Sequence, residues 1–213
     1  MSSILILFGL LGTLLIGAMS PGPSFVLVSR IAITSSRASG LAAAVGMGLG
    51  GMIFGTLALG GLTALLLQVG WLYFALKILG GAYLVYLGVM IWRGAADPLI
   101  VPEAGTAPSR SLFRSFLLGV TTQLANPKTA IFYASIFAAL LPASPPLWML
   151  LALPPLIFAV EMGWYTVVAI AFSASAPRSV YLGWKAWIDR IAGAVMGALG
   201  ARLIVESMET HGA

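Results

Sequence analysis

The chain has 213 residues, of which 60% are apolar and 8% charged, with no cysteine, one histidine and a formal net charge of +5. A soluble domain carries about 25% charged residues, so this composition excludes a water-clothed globule and identifies an integral membrane protein. Without thiols there are no disulfide scaffolds and no thiolate metal sites; His211 alone makes no histidine cluster or Ser-His-Asp triad, and the scattered basic residues form no stripe for nucleic acid. No catalytic residue, cofactor or resident metal is therefore expected. At ~20 residues per span there is room for about six spans and no separate soluble domain, which makes residues 1–213 one transmembrane domain.

The first span lies near residues 4–33, an uncharged stretch closed by Arg30 and Arg37. Gly17-Ala18-Met19-Ser20 resembles a signal cleavage site, but the positive leading region of a secretory signal is missing, so the span is read as retained. The next uncharged stretch is too long for one helix and divides at Gln68-Val69-Gly70 into spans near 40–67 and 70–92. A polar central loop, 93–114, follows. The fourth span, 115–141, is ended by Pro142 and Pro145-Pro146, which remove donors and fix backbone angles. The fifth, 147–172, carries Glu161, and the sixth, the weakest, lies near 188–206.

Short cytoplasmic loops retain positive charge. The loops after spans one, three and five hold Arg30, Arg37, Arg93, Arg110, Arg114, Arg178, Lys185 and Arg190, against Arg202 alone on the other side. Those loops, the central one included, are thus expected in the cytoplasm and both termini outside. Trp71, Tyr73 and Trp148 near the outer ends, and Trp92, Trp184 and Trp187 near the inner ends, suit interfacial belts.

An ionised group at the bilayer centre costs about 2.5 to 3.5 kcal/mol on insertion scales, so Lys77, Lys128 and Glu161 stand out. Lys128 and Glu161 fall near mid-depth on consecutive helices, where they either form a structural pair or handle substrate and protons; Lys77 is near enough to an end to snorkel. Two proline sites also interrupt the apolar pattern, Pro21-Gly22-Pro23 in span one and Asn126-Pro127 in span four. Each proline lacks an N–H and crowds the carbonyl four residues back, which frees those of Gly17, Met19 and Gln123. Such backbone is tolerated at depth where it is buried in protein or lines a watery cavity. Ser20 with Ser24, and Thr122 with Asn126, put polar side chains beside the breaks at helical spacing.

The two breaks occupy corresponding places in two halves of three spans, and an odd number of spans inverts one half relative to the other. The expected fold is therefore an all-α membrane protein of six transmembrane helices, arranged as two inverted three-helix repeats with helices one and four broken. Paired interruptions of this kind point to a transporter binding site at the repeat interface. The chemistry suits a zwitterion: freed carbonyls accept from an ammonium, while half-helix N-termini and Lys128 meet a carboxylate. Gly46-x-x-x-Gly50, Gly51-x-x-x-Gly55 and Gly193-x-x-x-Gly197 read as close helix packing.

Ser20-Pro21-Gly22-Pro23, the stretch Leu79-Gly80-Gly81-Ala82-Tyr83-Leu84-Val85-Tyr86-Leu87-Gly88 after Lys77, and Asn126-Pro127-Lys128 together resemble the lysine/homoserine/threonine exporter family of LysE/RhtB type. Gly40, the glycine-rich second span and Ile191-Ala192-Gly193 to Gly200-x-x-Leu203 extend the likeness over most of the chain. The resemblance implies a bacterial inner-membrane exporter of an amino acid or close derivative, working by proton antiport. It carries Pro21, Gly22, Pro23, Asn126, Pro127, Lys128 and Tyr83 over as elements of the substrate path. Ser20, Ser24 and Gln123 join them as polar neighbours of the breaks. One departure stands out: members of the family often place an acidic residue where this chain has Gly51, which leaves Glu161, with Lys128, to couple the proton.

The partners expected are thus an amino acid, protons and the lipid bilayer, with assembly into a homo-oligomer left open. A neutral substrate of homoserine or threonine type is favoured, since a basic one would want a second acid in the cavity. The alternatives are efflux of a divalent metal or other small metabolite, against which the missing Cys and intramembrane His argue, and more distantly a membrane enzyme or an assembly protein.

Overall fold

The computed structural model describes residues 3–20, 22–68, 70–98, 111–142 and 144–211, and it describes no side chains at 62–73, 76–77, 127, 175–178 and 209–211. Pro21 and Arg110, and the side chains of Lys77, Trp71, Tyr73, Pro127, Arg178 and His211, therefore lie outside the described residues.

Every regular element described is helical: α1 (Ser3–Met19), α2 (Pro23–Thr34), α3 (Arg37–Gln68), α4 (Gly70–Arg93) with a 3-10 turn at Gly94–Ala96, α5 (Leu112–Leu124), α6 (Pro127–Leu140), α7 (Leu147–Phe172) and α8 (Ser175–His211). By length and apolarity four stretches are candidate membrane spans, Arg37–Gly61, Ile78–Ala96, Leu147–Phe172 and Ser179–Met208; the bent pair α1 and α2 makes a fifth. The region expected as the fourth span is divided into α5 and α6, two short helices, of which α6 is apolar over Lys128–Leu140 but too short to count as a span by itself. Every helix carries large apolar side chains open to its surroundings, among them Phe8, Val26, Leu57, Leu79, Phe113, Ile131, Leu151 and Ile191, as lipid contact requires.

The boundaries follow local chemistry. Pro23 and Pro127 each occupy the start of a helix, where the missing N–H is not needed. Ser111 caps α5 by accepting the Arg114 N–H at 3.2 Å. One boundary departs from the sequence reading. The sixth span was expected from about 188, after a polar stretch, but α8 runs through Lys185 and Asp189, which are both buried. Lys185 and Asp189 stand one turn apart and join at 2.9 Å, so each neutralises the other and the helix continues. Lys185, counted above with the loop cations, is thus an interior residue, and Glu161 is not the only buried acid.

Packing brings α4 against α8, and α3 against both α7 and α5. Glycines make these approaches possible. A side chain at Gly46 would strike the α5 backbone at Phe116, and one at Gly119 would strike the α3 backbone at Ala43. Gly88 of α4 meets Gly193 and Gly197 of α8 in the same way. Two apolar clusters result. One gathers Leu10 and Leu14 of α1 with Leu84, Phe137, Leu153 and Met196; the other gathers Phe25 and Val28 of α2 with Met47, Val168 and Phe172. Because α1 feeds the first cluster and α2 the second, the break between them falls where the two meet.

Candidate functional site

Where α1 ends, Ser20 and Gly22 carry the chain to α2, whose cap residue Gly22 makes no side-chain cap bond. Where α5 ends, Ala125 and Asn126 carry it to α6, and the Asn126 side chain accepts the Lys128 N–H at 3.1 Å. The Gln123 carbonyl, expected to be free, accepts the Asn126 N–H at 3.2 Å. The two breaks face each other. Ser24 on α2 donates its hydroxyl to Gln123 Oε1 at 2.6 Å and accepts from Asn126 Nδ2 at 3.1 Å. In return the Lys128 ammonium donates to the Ser20 carbonyl at 3.3 Å. All four of Ser20, Ser24, Gln123 and Asn126 are buried.

A cavity of about 20 Å³ lies between the breaks, lined by Ser20, Gly22, Ser24, Gln123, Asn126 and Lys128 together with Glu161 of α7. That volume holds a water molecule and no amino acid, so the helices are closed on the site. Lys128 and Glu161 share the cavity without pairing: the described ion pairs are Lys185 with Asp189 and Arg202 with Glu206. Glu161 instead accepts the Tyr133 hydroxyl at 2.9 Å through Oε1, and its buried Oε2 receives no hydrogen bond from the described residues. A buried carboxylate oxygen without a donor is costly, so the site holds unspent capacity to bind a proton or a cation.

Gly51 explains how Glu161 fits. A side-chain carbon there would stand 2.9 Å from Glu161 Cγ and 3.2 Å from the Tyr133 hydroxyl, inside ordinary contact. The glycine leaves the space that the Glu161 and Tyr133 pair fills. Tyr83 is not brought in: it is half-buried on α4, packed at the edge of the α1 cluster with its ring 6.3 Å from that of Tyr86. The lining contains residues not singled out from the sequence, Thr129, Tyr133 and Tyr165. The signal for them was helical spacing, since Tyr165 follows Glu161 by one turn and Tyr133 follows Thr129 by one turn.

The site therefore has the ends of four half-helices, one ammonium and one carboxylate at a closed cavity inside a multi-pass helical membrane protein. That is the class of a membrane translocator. The model of the family LysE type translocator matches residues 15–207, and the chain belongs to that family. It is 34% identical over 199 residues to the threonine efflux protein of Escherichia coli (strain K12), covering 90% of this chain and 93% of the relative. To the threonine efflux protein of Salmonella typhi it is 33% identical over 197 residues, with the same coverage. An uncharacterized membrane protein of Escherichia coli (strain K12), YahN, is 30% identical over 92% of this chain and 88% of its own. No solved structure gives a significant match.

Proposed function

We propose that this protein exports an amino acid or close derivative from the bacterial cytoplasm across the inner membrane, by proton antiport with alternating access. The observation that carries the reading is the arrangement of Lys128 and Glu161 in one buried cavity between two helix breaks, unpaired with each other. The N-terminal ends of α2 and α6 and the Lys128 ammonium supply positive charge for a carboxylate; the C-terminal ends of α1 and α5 and Glu161 supply acceptors for an ammonium. Ser20, Gly22, Pro23, Ser24, Gln123, Asn126 and Pro127, with Pro21, form the substrate path. Glu161 carries the proton, and Lys128 answers its charge. The threonine efflux relatives support a small, neutral, hydroxyl-bearing substrate such as threonine or homoserine. One acid in the cavity also favours neutral side chains over basic ones.

The inverted-repeat arrangement is part of this proposal. It is supported by the pairing of elements three spans apart, α4 with α8 and α3 with α7, and by a proline-started half-helix in span one and in span four. The Lys and Arg distribution supports a cytoplasmic central loop with both termini outside. The deciding experiment is efflux of a labelled amino-acid panel from proteoliposomes holding the purified protein, with and without an imposed pH gradient. Selective, gradient-sensitive loss of small neutral amino acids is expected. No movement of any amino acid through demonstrably folded protein would remove this reading.

A further inference from the structure

A second cavity, of about 270 Å³, adjoins the first. The two share Ser20 and Gly22, so the first helix break is the wall between them. The rest of the lining includes Met90, Gly94 and Asp97 from the end of α4 and the turn after it, and Lys185 and Asp189 from α8. Met90 and Asp97 are exposed, which puts the mouth at the end of α4 that leads into the polar stretch 93–114. In the orientation proposed above that mouth opens to the cytoplasm.

The charges inside are unevenly satisfied. Lys185 donates to Asp189 Oδ2 at 2.9 Å, to the Gly94 carbonyl at 3.2 Å and to the Ala95 carbonyl at 3.3 Å, which occupies all three of its N–H donors. Asp189 is 4% exposed, yet its Oδ1 is buried and receives no hydrogen bond from the described residues. A purely structural pair gains nothing by burying an oxygen without a donor. With Asp97 at the rim, the described lining holds two carboxylates and one ammonium whose donors are all taken. What this cavity lacks is a cation with hydrogens to give. Its volume approaches that of small-ligand sites, roughly 300 Å³ and upwards, whereas the central cavity holds no more than water.

We propose that this cavity is an entry vestibule in which Asp189 takes the ammonium group of the substrate before the break at Ser20 and Gly22 opens towards Lys128. The proposal rests on the export reading and adds to it a first binding station, selective for a primary ammonium. Lys185 acts through Asp189 as a positioning residue, holding the carboxylate against the end of α4.

The test uses the absence of native cysteine. A Met90→Cys protein, reconstituted with the mouth accessible, is labelled with aminoethyl methanethiosulfonate, which carries a primary ammonium, and with a sulfonate-bearing methanethiosulfonate, each rate normalised to that of a free thiol. The cationic reagent is expected to react about tenfold faster. That preference should fall to near one in Asp189→Asn, and the exported amino acid and a simple alkylammonium should both slow labelling. Equal rates for the two reagents, or a preference that survives Asp189→Asn, would overturn the proposal. So would a preference that tracks Asp189 while an amino acid exported by the wild type fails to slow labelling. If Asp189→Asn leaves Lys185 unpaired and does not fold, the neutral pair Lys185→Gln with Asp189→Asn removes both charges and must show the same loss. Failure of the export reading itself would appear separately, as absence of amino-acid flux through wild-type protein.

Discussion

The two helix breaks hold corresponding places in the chain and are built differently. Between α5 and α6 the backbone is fastened: Asn126 caps the Lys128 N–H, its own N–H reaches Gln123, and its side-chain amide holds Ser24. Between α1 and α2 the cap is Gly22, with no side chain to bond, and the buried Ser20 hydroxyl finds no partner among the described residues. What holds this break comes from across the cavity, the Lys128 ammonium on the Ser20 carbonyl and Gln123 on Ser24. Segments with fewer internal bonds open at lower free energy. Among the described residues the α5 and α6 side is thus the more firmly held, while the α1 and α2 side has fewer bonds of its own, and it is also the wall between the two cavities.

The largest expected effect comes from the two charges. Lys128→Ala removes the cavity's cation and one of the bonds that hold the first break; Glu161→Gln removes the charge proposed to take the proton. Each should bring efflux to background in proteoliposomes, while size-exclusion profiles in detergent remain those of the wild type. Normal transport by both variants would dissolve the site.

Next in size is Asn126→Ala. It deletes a helix cap, worth about 1 kcal/mol, and strips the donor from Ser24. Thermal unfolding in detergent should show the loss, and efflux should fall about tenfold through the misplaced Lys128. Gly22→Ala is the matched change at the other break and should alter stability by less than about 0.5 kcal/mol, since no cap bond is lost. Its side-chain carbon would stand 3.6 Å from Lys128 Nζ, an ordinary contact, and the backbone there, with φ of −162°, suits any residue. Equal destabilisation by the two substitutions would erase the difference between the breaks.

Much of this was legible in the sequence because membrane helices announce themselves by composition. The run 147–172 and the joint near Gln68 were read where the helices have them, and the polar residues Ser20, Ser24, Gln123 and Asn126 were named from their spacing around the prolines. Three things were not legible. Lys185 and Asp189 looked like a loop because charge ordinarily ends a span, and only the pairing in space, with carbonyls from α4 completing it, makes them interior. Tyr83 was carried over by motif, but it is not among the residues that line the cavity and packs instead at the edge of the α1 cluster. Whether Lys128 and Glu161 pair could not be read from depth, which says nothing of azimuth: they line one cavity without an ion pair between them, and Glu161 accepts from Tyr133.

The smallest predicted effect asks whether the loose break is loose for a reason. Gly22→Ser gives α2 the hydroxyl cap that α6 has in Asn126, and a serine in place of a glycine at this position stabilises a helix by a few tenths of a kcal/mol. If the first break is the part that moves, making it more like the second must slow the movement. The expected result is a slightly higher unfolding midpoint together with a maximal efflux rate lowered about two- to threefold, as a few tenths of a kcal/mol on an opening step allows. A stabilised variant that turns over as fast as the wild type would place the moving part elsewhere. The fastened break would then be the one to loosen next, by Asn126→Gly, which removes the bond to Ser24 while keeping a backbone that α6 can start from.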